Sequence, residues 1–429
     1  MNYSRKTQNA WAFYDWANSV YSLVISTAVF PIYYSSVSPE AVSLLGREFS
    51  STSLYSYSLA FSFILVAILS PFLSGIADYT GNKKKFLKFF CYLGASACVG
   101  LFFFKGQNIF LGLGLSVVAS VGFWGSLVFY NAFLPEIAAA KDQDALSAKG
   151  FSLGYIGASI LLIINLVIIQ MPQTFGFSDA GAASRFSFLL VGLWWAGFAQ
   201  VSFRRLPLNV HRRKPGERYI FKGFQEIAKV AVQLKDLQNI RRFLYSFFFF
   251  SVGVQTVILL ASLFGEQELG LDASKLILTI LIIQFVAIGG AHGFSFLSQK
   301  MGNLGALKIS LVIWVLVCFG AYTLSGDDPS VEYKFYAIGG LVGLVLGGTQ
   351  SLSRSSYSKL IPASHSNASF FSFYDVSEKI AVVVGTFTYG YLIDLTGNMK
   401  ASALALSVFF LVGWLLLNRV SKKAFAKAS

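Results

Sequence analysis

Three charged residues, Asp375, Glu378 and Lys379, stand together in a stretch that is otherwise apolar. At positions i, i+3 and i+4 they share one side of a helix, where Lys379 can pair with Asp375 and lower the cost of burying both. A buried cation able to change partners is a device for moving a solute through a membrane. In this reading Lys379 passes between these acids and a substrate carboxylate, or an acid on another helix such as Asp15. Near the start of the chain Asp15, Asn18, Ser19, Ser22 and Ser26 recur at three- and four-residue spacing and form a second helical face. Such a row has no hydrogen-bond partners in lipid, so it must face a protein interior or a water-filled cavity. Asp15 is placed for a gate; Asn18 and Ser22, deeper in, are placed for a substrate. Asn165, Gln255, Thr256, Gln284 and Gln350 are further neutral groups able to line a cavity.

A third group is a turn rather than a face. Gly75-Ile76-Ala77-Asp78-Tyr79-Thr80-Gly81-Asn82-Lys83-Lys84-Lys85 combines one acid, two glycines and a basic triplet at the end of an apolar run. An acid here can cap the N-terminus of a neighbouring helix or pair with loop cations, and so latch one of two states. The stretch Leu297-Ser298-Gln299-Lys300-Met301-Gly302-Asn303 repeats the pattern in weakened form, with Gln299 where the acid stood. The latch is therefore expected to rest on Asp78. Other chemistries find no support. Cys91, Cys98 and Cys318 lie in apolar runs, and His211, His292 and His365 are scattered, so no disulfide framework, metal site, cofactor or enzymatic centre is expected. No G-x-x-x-x-G-K-[ST] loop occurs, which argues against pumping by ATP.

The elements that must position these groups follow from composition. Of 429 residues 55% are hydrophobic and only 13% charged, and the mean hydropathy is +0.62, which excludes an ordinary soluble enzyme. That much apolar chain suffices for roughly twelve spans of ~20 residues. Apolar runs place them near 11–36, 53–76, 87–104, 108–134, 148–171 and 184–203, then 242–264, 273–296, 305–325, 334–352, 369–393 and 400–420. The first run is too long and too polar for a signal-peptide core and reads as a retained helix. The expected fold is an all-α membrane protein of two pseudo-symmetric six-helix bundles, residues 1–203 and 242–429. Residues 204–241 form a basic cytoplasmic linker. It opens with Arg204, Arg205, His211, Arg212, Arg213 and Lys214, and continues into an amphipathic helix whose Ile220, Phe224, Ile227, Ala231 and Leu234 recur at helical spacing. This helix is expected to lie on the inner leaflet and tie the halves together.

With both termini cytoplasmic, about 27 of the 34 Lys and Arg fall on the inner side, while acids such as Glu40, Glu268, Asp328 and Glu332 fall outside. The net charge of +14 thus expresses topology, not nucleic-acid affinity. Gly339, Gly343 and Gly347 on one span, and Gly150 and Gly154 on another, are spaced for close helix packing.

The Gly75 to Lys85 turn resembles the loop between helices 2 and 3 of the major facilitator superfamily, G-x-L-A-D-R-x-G-R-K. A closer resemblance is carried by Trp11-Ala12-Phe13-Tyr14-Asp15-Trp16-Ala17-Asn18-Ser19, by Tyr130-Asn131-Ala132-Phe133-Leu134-Pro135-Glu136-Ile137-Ala138, by Leu153-Gly154-Tyr155-Ile156-Gly157, and by Phe370 through Lys379. These look like the vacuole-effluxer-like family of that superfamily, the autophagy-related amino-acid exporters. The resemblance implies a secondary transporter, with amino acids or related zwitterions as substrates and protons as a possible coupling ion. One departure is Val252-Gly253-Val254-Gln255-Thr256, where relatives tend to place an acid before the glycine. Sugars, nucleosides, drugs or lipids are the alternatives within the fold, and a non-transporting membrane receptor is an alternative outside it. The reading as a whole is of a monomer in the bacterial inner membrane, handling a small molecule in a lipid bilayer, with gate residues Gly75, Asp78, Gly81, Lys83 and Lys84.

Overall fold

The computed structural model describes residues 3–44, 46–208, 219–362 and 366–426. The basic run from His211 to Lys214, and His365, lie outside the described residues.

Helix α1 (Arg5–Val20), a π-helical segment (Tyr21–Val29) and α2 (Phe30–Val37) form one continuous span. A hairpin of β1 (Ala41–Leu44) and β2 (Arg47–Ser50) leads to α3 (Ser51–Thr80), with Ser50 capping the helix start through a 3.1 Å bond from the Ser53 amide. Then come α4 (Lys83–Leu101), α5 (Ile109–Asn131), the short α6 (Leu134–Ile137), α7 (Ala140–Gln170) and α8 (Ala180–Arg205). After α9 (Tyr219–Asp236) follow α10 (Gln238–Gln267), α11 (Ala273–Met301), α12 (Asn303–Thr323), α13 (Val331–Leu360), α14 (Asn367–Thr396), α15 (Met399–Leu417) and α16 (Lys423–Ala426).

Among the described residues, length and apolarity single out nine candidate spans, one of which, Ala273–Thr323, is two helices broken at Gly302. Helices α4 and α14 complete the set of twelve. Their polarity explains why apolarity alone passes over them: α4 opens on Lys83, Lys84 and Lys85, and α14 carries Asp375, Glu378 and Lys379. Sharp reversals follow α3 at Gly81, with φ 70°, and α11 at Gly302, with φ 79°. Both are backbone conformations that a β-carbon disfavours.

Packing repeats between the halves. In the first, α1 packs on α7 and α8, α4 on α5 and α8, and α3 on α5; in the second, α10 packs on α14 and α15, α12 on α13 and α15, and α11 on α13. The halves meet reciprocally, α3 against α14 and α7 against α11. Glycines set the closest approaches. A β-carbon at Gly347 would lie 2.1 Å from the Ala287 carbonyl on α11, and one at Gly154 would lie 2.5 Å from the Ser19 hydroxyl on α1.

Several helices run past the expected spans at one end of the bundle, where α1 begins and α15 ends. Helix α13 continues to Leu360 and α7 starts at Ala140. These extra turns are rich in Ser, Asp, Lys and Arg, which the neighbouring half satisfies, so apolarity could not mark where the helices stop. This end carries the lysines of α4 and is called the basic end below.

Candidate functional site

A cavity of about 260 Å³ lies between the halves. The first span supplies one wall. Asp15, Asn18 and Ser19 face it from α1, and Ser22, Ser26 and Thr27 from the π-helical segment. The wider π turn keeps the polar row aimed inward: the Thr27 hydroxyl donates to the Ser22 carbonyl five residues back at 2.9 Å. Facing it are Gln255 from α10, Gln284 from α11, Gln350 from α13 and Glu378 from α14, among aromatic walls that include Trp124, Phe247 and Tyr374.

The floor is an ion pair. Arg354 Nη1 donates to Asp15 Oδ2 at 3.1 Å, and the Tyr130 hydroxyl donates to the same oxygen at 2.8 Å. Arg354 also donates to the Ser147 hydroxyl and carbonyl, both at 2.9 Å. Its guanidinium carbon stands 4.0 Å from the ring centre of Phe151 and 4.9 Å from that of Trp11. Both charged groups are buried. Gly150 makes room for them, since a β-carbon there would fall 2.5 Å from Asp15 Oδ2.

Below the floor, toward the basic end, further contacts join the halves. Asp144 of α7 pairs with Lys359 at 2.7 Å and accepts from Ser298 and Asn303, each at 2.8 Å. Asp78 accepts from the backbone amides of Ala368 at 3.2 Å and Ser369 at 2.7 Å, capping the first turn of α14. Lys83 is ion-paired with Glu136, which also accepts from Asn367 at 2.8 Å. Lys84 donates to the Leu206 carbonyl at 2.7 Å. Gly75 meets the backbone of Gly223 on α9, and Gly81 makes the turn that returns the chain into α4. Among the described residues, the hydrogen bonds and ion pairs between the halves lie between Tyr155–Gln350 and the basic end. The cavity wall continues the other way to Leu276 and Phe335, in the first turns of α11 and α13. The halves are thus bonded to one another toward the basic end, and the cavity extends away from it.

The α14 cluster sits beside the cavity. Lys379 Nζ is 3.2 Å from Asp375 Oδ1 and 3.3 Å from Glu378 Oε2, and it stands 3.4 Å over the ring centre of Trp124 on α5. Glu378 Oε1 accepts from Gln255 at 2.8 Å, while Asp375 Oδ2 is buried and, among the described residues, without a hydrogen-bond partner. With both acids ionised the cluster carries one negative charge in excess, so it can take up a proton or a cation, or release Lys379 to an anion.

The structure thus gathers Asp15, Asn18, Ser22, Gln255 and Glu378 on one cavity and sets Asp375 and Lys379 behind Trp124. Three of the expected placements are not found in this state. Asp15 meets Arg354, not Lys379. Thr256, one position and about 100° round the helix from Gln255, turns away from the cavity, donates to the Val252 carbonyl at 2.6 Å and faces α14 at Gly385. Asn165 is buried in α7 and does not line the cavity. Arg354, Asp144 and Lys359 were missed altogether because they lie beyond the apolar runs. The available signal was the serine-rich run from Ser351 to Ser358, whose small polar residues around one arginine suit a helix continuing against protein rather than a loop in water.

Two six-helix halves around a central cavity that carries a few polar and charged groups define a membrane transporter of the major facilitator class. Solved structures share the fold: the fucose transporter FucP in its outward conformation aligns with a TM-score of 0.67 at 12% identity over 97% of this chain and 99% of that one. The proton:xylose symporter XylE aligns at 0.67 and 13% over 97% and 95%. A family model described as "Vacuole effluxer Atg22 like" matches residues 3–426. The MFS-type transporter YxiO of Bacillus subtilis (strain 168) is 32% identical over 428 residues, covering 99% of this chain and 97% of its own. Autophagy-related protein 22-1 of Penicillium rubens is 24% identical over 474 residues, covering 89% and 78%. The chain belongs to the vacuole effluxer Atg22-like family; it is a multi-pass membrane protein that transports rather than catalyses.

Proposed function

We propose that this protein is a secondary active transporter of amino acids or related zwitterions in the bacterial cell membrane, with both termini and the basic end cytoplasmic. Residues 1–203 and 242–429 rock as two bodies joined by 204–241, and the state described above is the outward-facing one. The observation that carries this reading is a cavity whose lining bears charge of both signs, the Asp15–Arg354 pair at its floor and Glu378 on α14, with neutral amides and hydroxyls between them. A zwitterion can exchange with such internal pairs through both of its charges, whereas a sugar brings only hydroxyls. Asn18, Ser22 and Gln255 contact the solute, and Asp375, Glu378 and Lys379 couple its movement to protons. Val252 packs toward α14, the helix that holds Asp375 and Glu378, so α14 supplies the coupling carboxylates with no acid at Val252. The naming of the family for vacuolar efflux agrees with a transport role for small metabolites.

The test is uptake into proteoliposomes under an imposed pH gradient, preceded by a thermal-shift screen of purified protein against amino acids, dipeptides, nucleosides and sugars. An amino acid should raise the melting temperature and be taken up faster with the gradient, and Lys379→Ala should remove the effect of the gradient while the amino acid still raises the melting temperature. Unimpaired uptake in Lys379→Ala sinks the coupling role. A response to sugars or nucleosides alone sinks the substrate assignment.

A further inference from the structure

Among the described residues, helix α9 is tied to the gate on one face and unpartnered on the other. Gly223 and Val230 are buried, and Gly223 lies so close to Gly75 of α3 that a β-carbon on Gly75 would stand 2.2 Å from its carbonyl oxygen. Glu226 accepts a hydrogen bond from Ser366, just before α14. The helix therefore spans from α3 in one half to the start of α14 in the other, across the contact that Asp78 makes.

Its free face is apolar and basic in adjoining stripes. Phe221, Phe224 and Val232 are 58%, 54% and 59% exposed, and Lys222 and Lys229, also exposed, lie together along one edge of them on the helical wheel. The apolar stripe continues a surface that faces lipid: on α3, Phe61, Ile64 and Ile68 are exposed one after another toward the basic end, and the next turn brings Phe72, whose ring centre is 4.6 Å from that of Phe224. A face continuous with the lipid belt and bordered by cations fits the boundary between acyl chains and anionic headgroups.

We propose that α9 is an in-plane helix that docks onto anionic phospholipid on the basic side of the membrane, with Phe221, Phe224 and Val232 at the acyl boundary and Lys222 and Lys229 on headgroup phosphates. Docked there, it holds Gly75 and the start of α14 together, and anionic lipid steadies the closed gate. This goes beyond the transport reading and holds whatever the solute.

The full-length protein carrying Val232→Cys, labelled with an environment-sensitive nitrobenzoxadiazole, is reconstituted in vesicles of phosphatidylcholine with or without phosphatidylglycerol. With phosphatidylglycerol the label should shift to the blue, be quenched by doxyl-labelled lipid and be shielded from iodide. Attraction of a cation to an anionic surface is about fivefold per lysine, so Lys222→Gln with Lys229→Gln should raise the phosphatidylglycerol fraction needed for half the change. Both substitutions are at exposed positions and leave the fold intact. A label open to iodide in every vesicle overturns docking and leaves the face to a soluble partner. A label buried equally in both lipids, unaffected by loss of the lysines, overturns recognition of the anionic headgroup.

Discussion

Arg354 illustrates how much one residue carries here: it meets Asp15, Asn131 and both oxygens of Ser147, under the rings of Phe151, Trp11 and Tyr130. A charge so enclosed is costly when its partner is taken away. Asp15→Asn or Arg354→Gln alone should destabilise the protein by on the order of 3–5 kcal/mol, read as a fall in melting temperature. The double variant should lose less than the sum of the two, because no orphan charge remains. Equal and additive losses would show that the pair is not coupled. Of these partners the sequence disclosed Asp15, because its polar row is legible against an apolar helix. It hid Arg354, whose surroundings look like a loop until the opposite half supplies their hydrogen bonds. Lys379 was legible for the opposite reason, as charge within an apolar run.

At the scale of elements, glycine decides how closely helices approach. Gly347 and Gly343 on α13 rest against backbone carbonyls of Ala287 and Ile283 on α11, whereas Gly340 on the same helix faces open space. Gly347→Ala should therefore push α13 off α11 and lower the melting temperature by several degrees, while Gly340→Ala should leave it unchanged or raise it slightly through better helix propensity. Similar effects from both would mean that the stripe is not a packing seam. The four-residue spacing made this seam readable beforehand. The π-helical segment was not readable, since nothing in Tyr21–Val29 distinguishes it from an α-helix except the way its hydroxyls meet the cavity. The amphipathic pattern of α9 was visible, but the glycine pair that docks it on α3 only emerges when both helices are in place.

Across the whole molecule the two halves use one latch with its charge exchanged. In the first half the acid stands at the loop, Asp78, and caps α14; in the second the loop carries Gln299, and the acid stands opposite it, as Asp144 on α7, meeting Ser298 and Asn303. The repeat looked degraded because only one side of each contact lies in the motif. Latching should therefore depend on Asp144 and Asp78 alike, and Asp144→Asn should open the basic end about as readily as Asp78→Asn, seen as faster labelling of cavity residues from that side. Alternating access would start here from a state closed at the basic end. Its most direct test is a cysteine in place of Ser22, in a protein whose Cys91, Cys98 and Cys318 are buried, exposed to a membrane-impermeant maleimide in right-side-out and inverted vesicles. Alternating access from that state requires faster reaction from the outside without solute, and a gain of reactivity from the inside when Arg354→Gln breaks the floor. Equal reaction from both sides in the unaltered gate, or faster reaction from the inside that Arg354→Gln does not change, would contradict it.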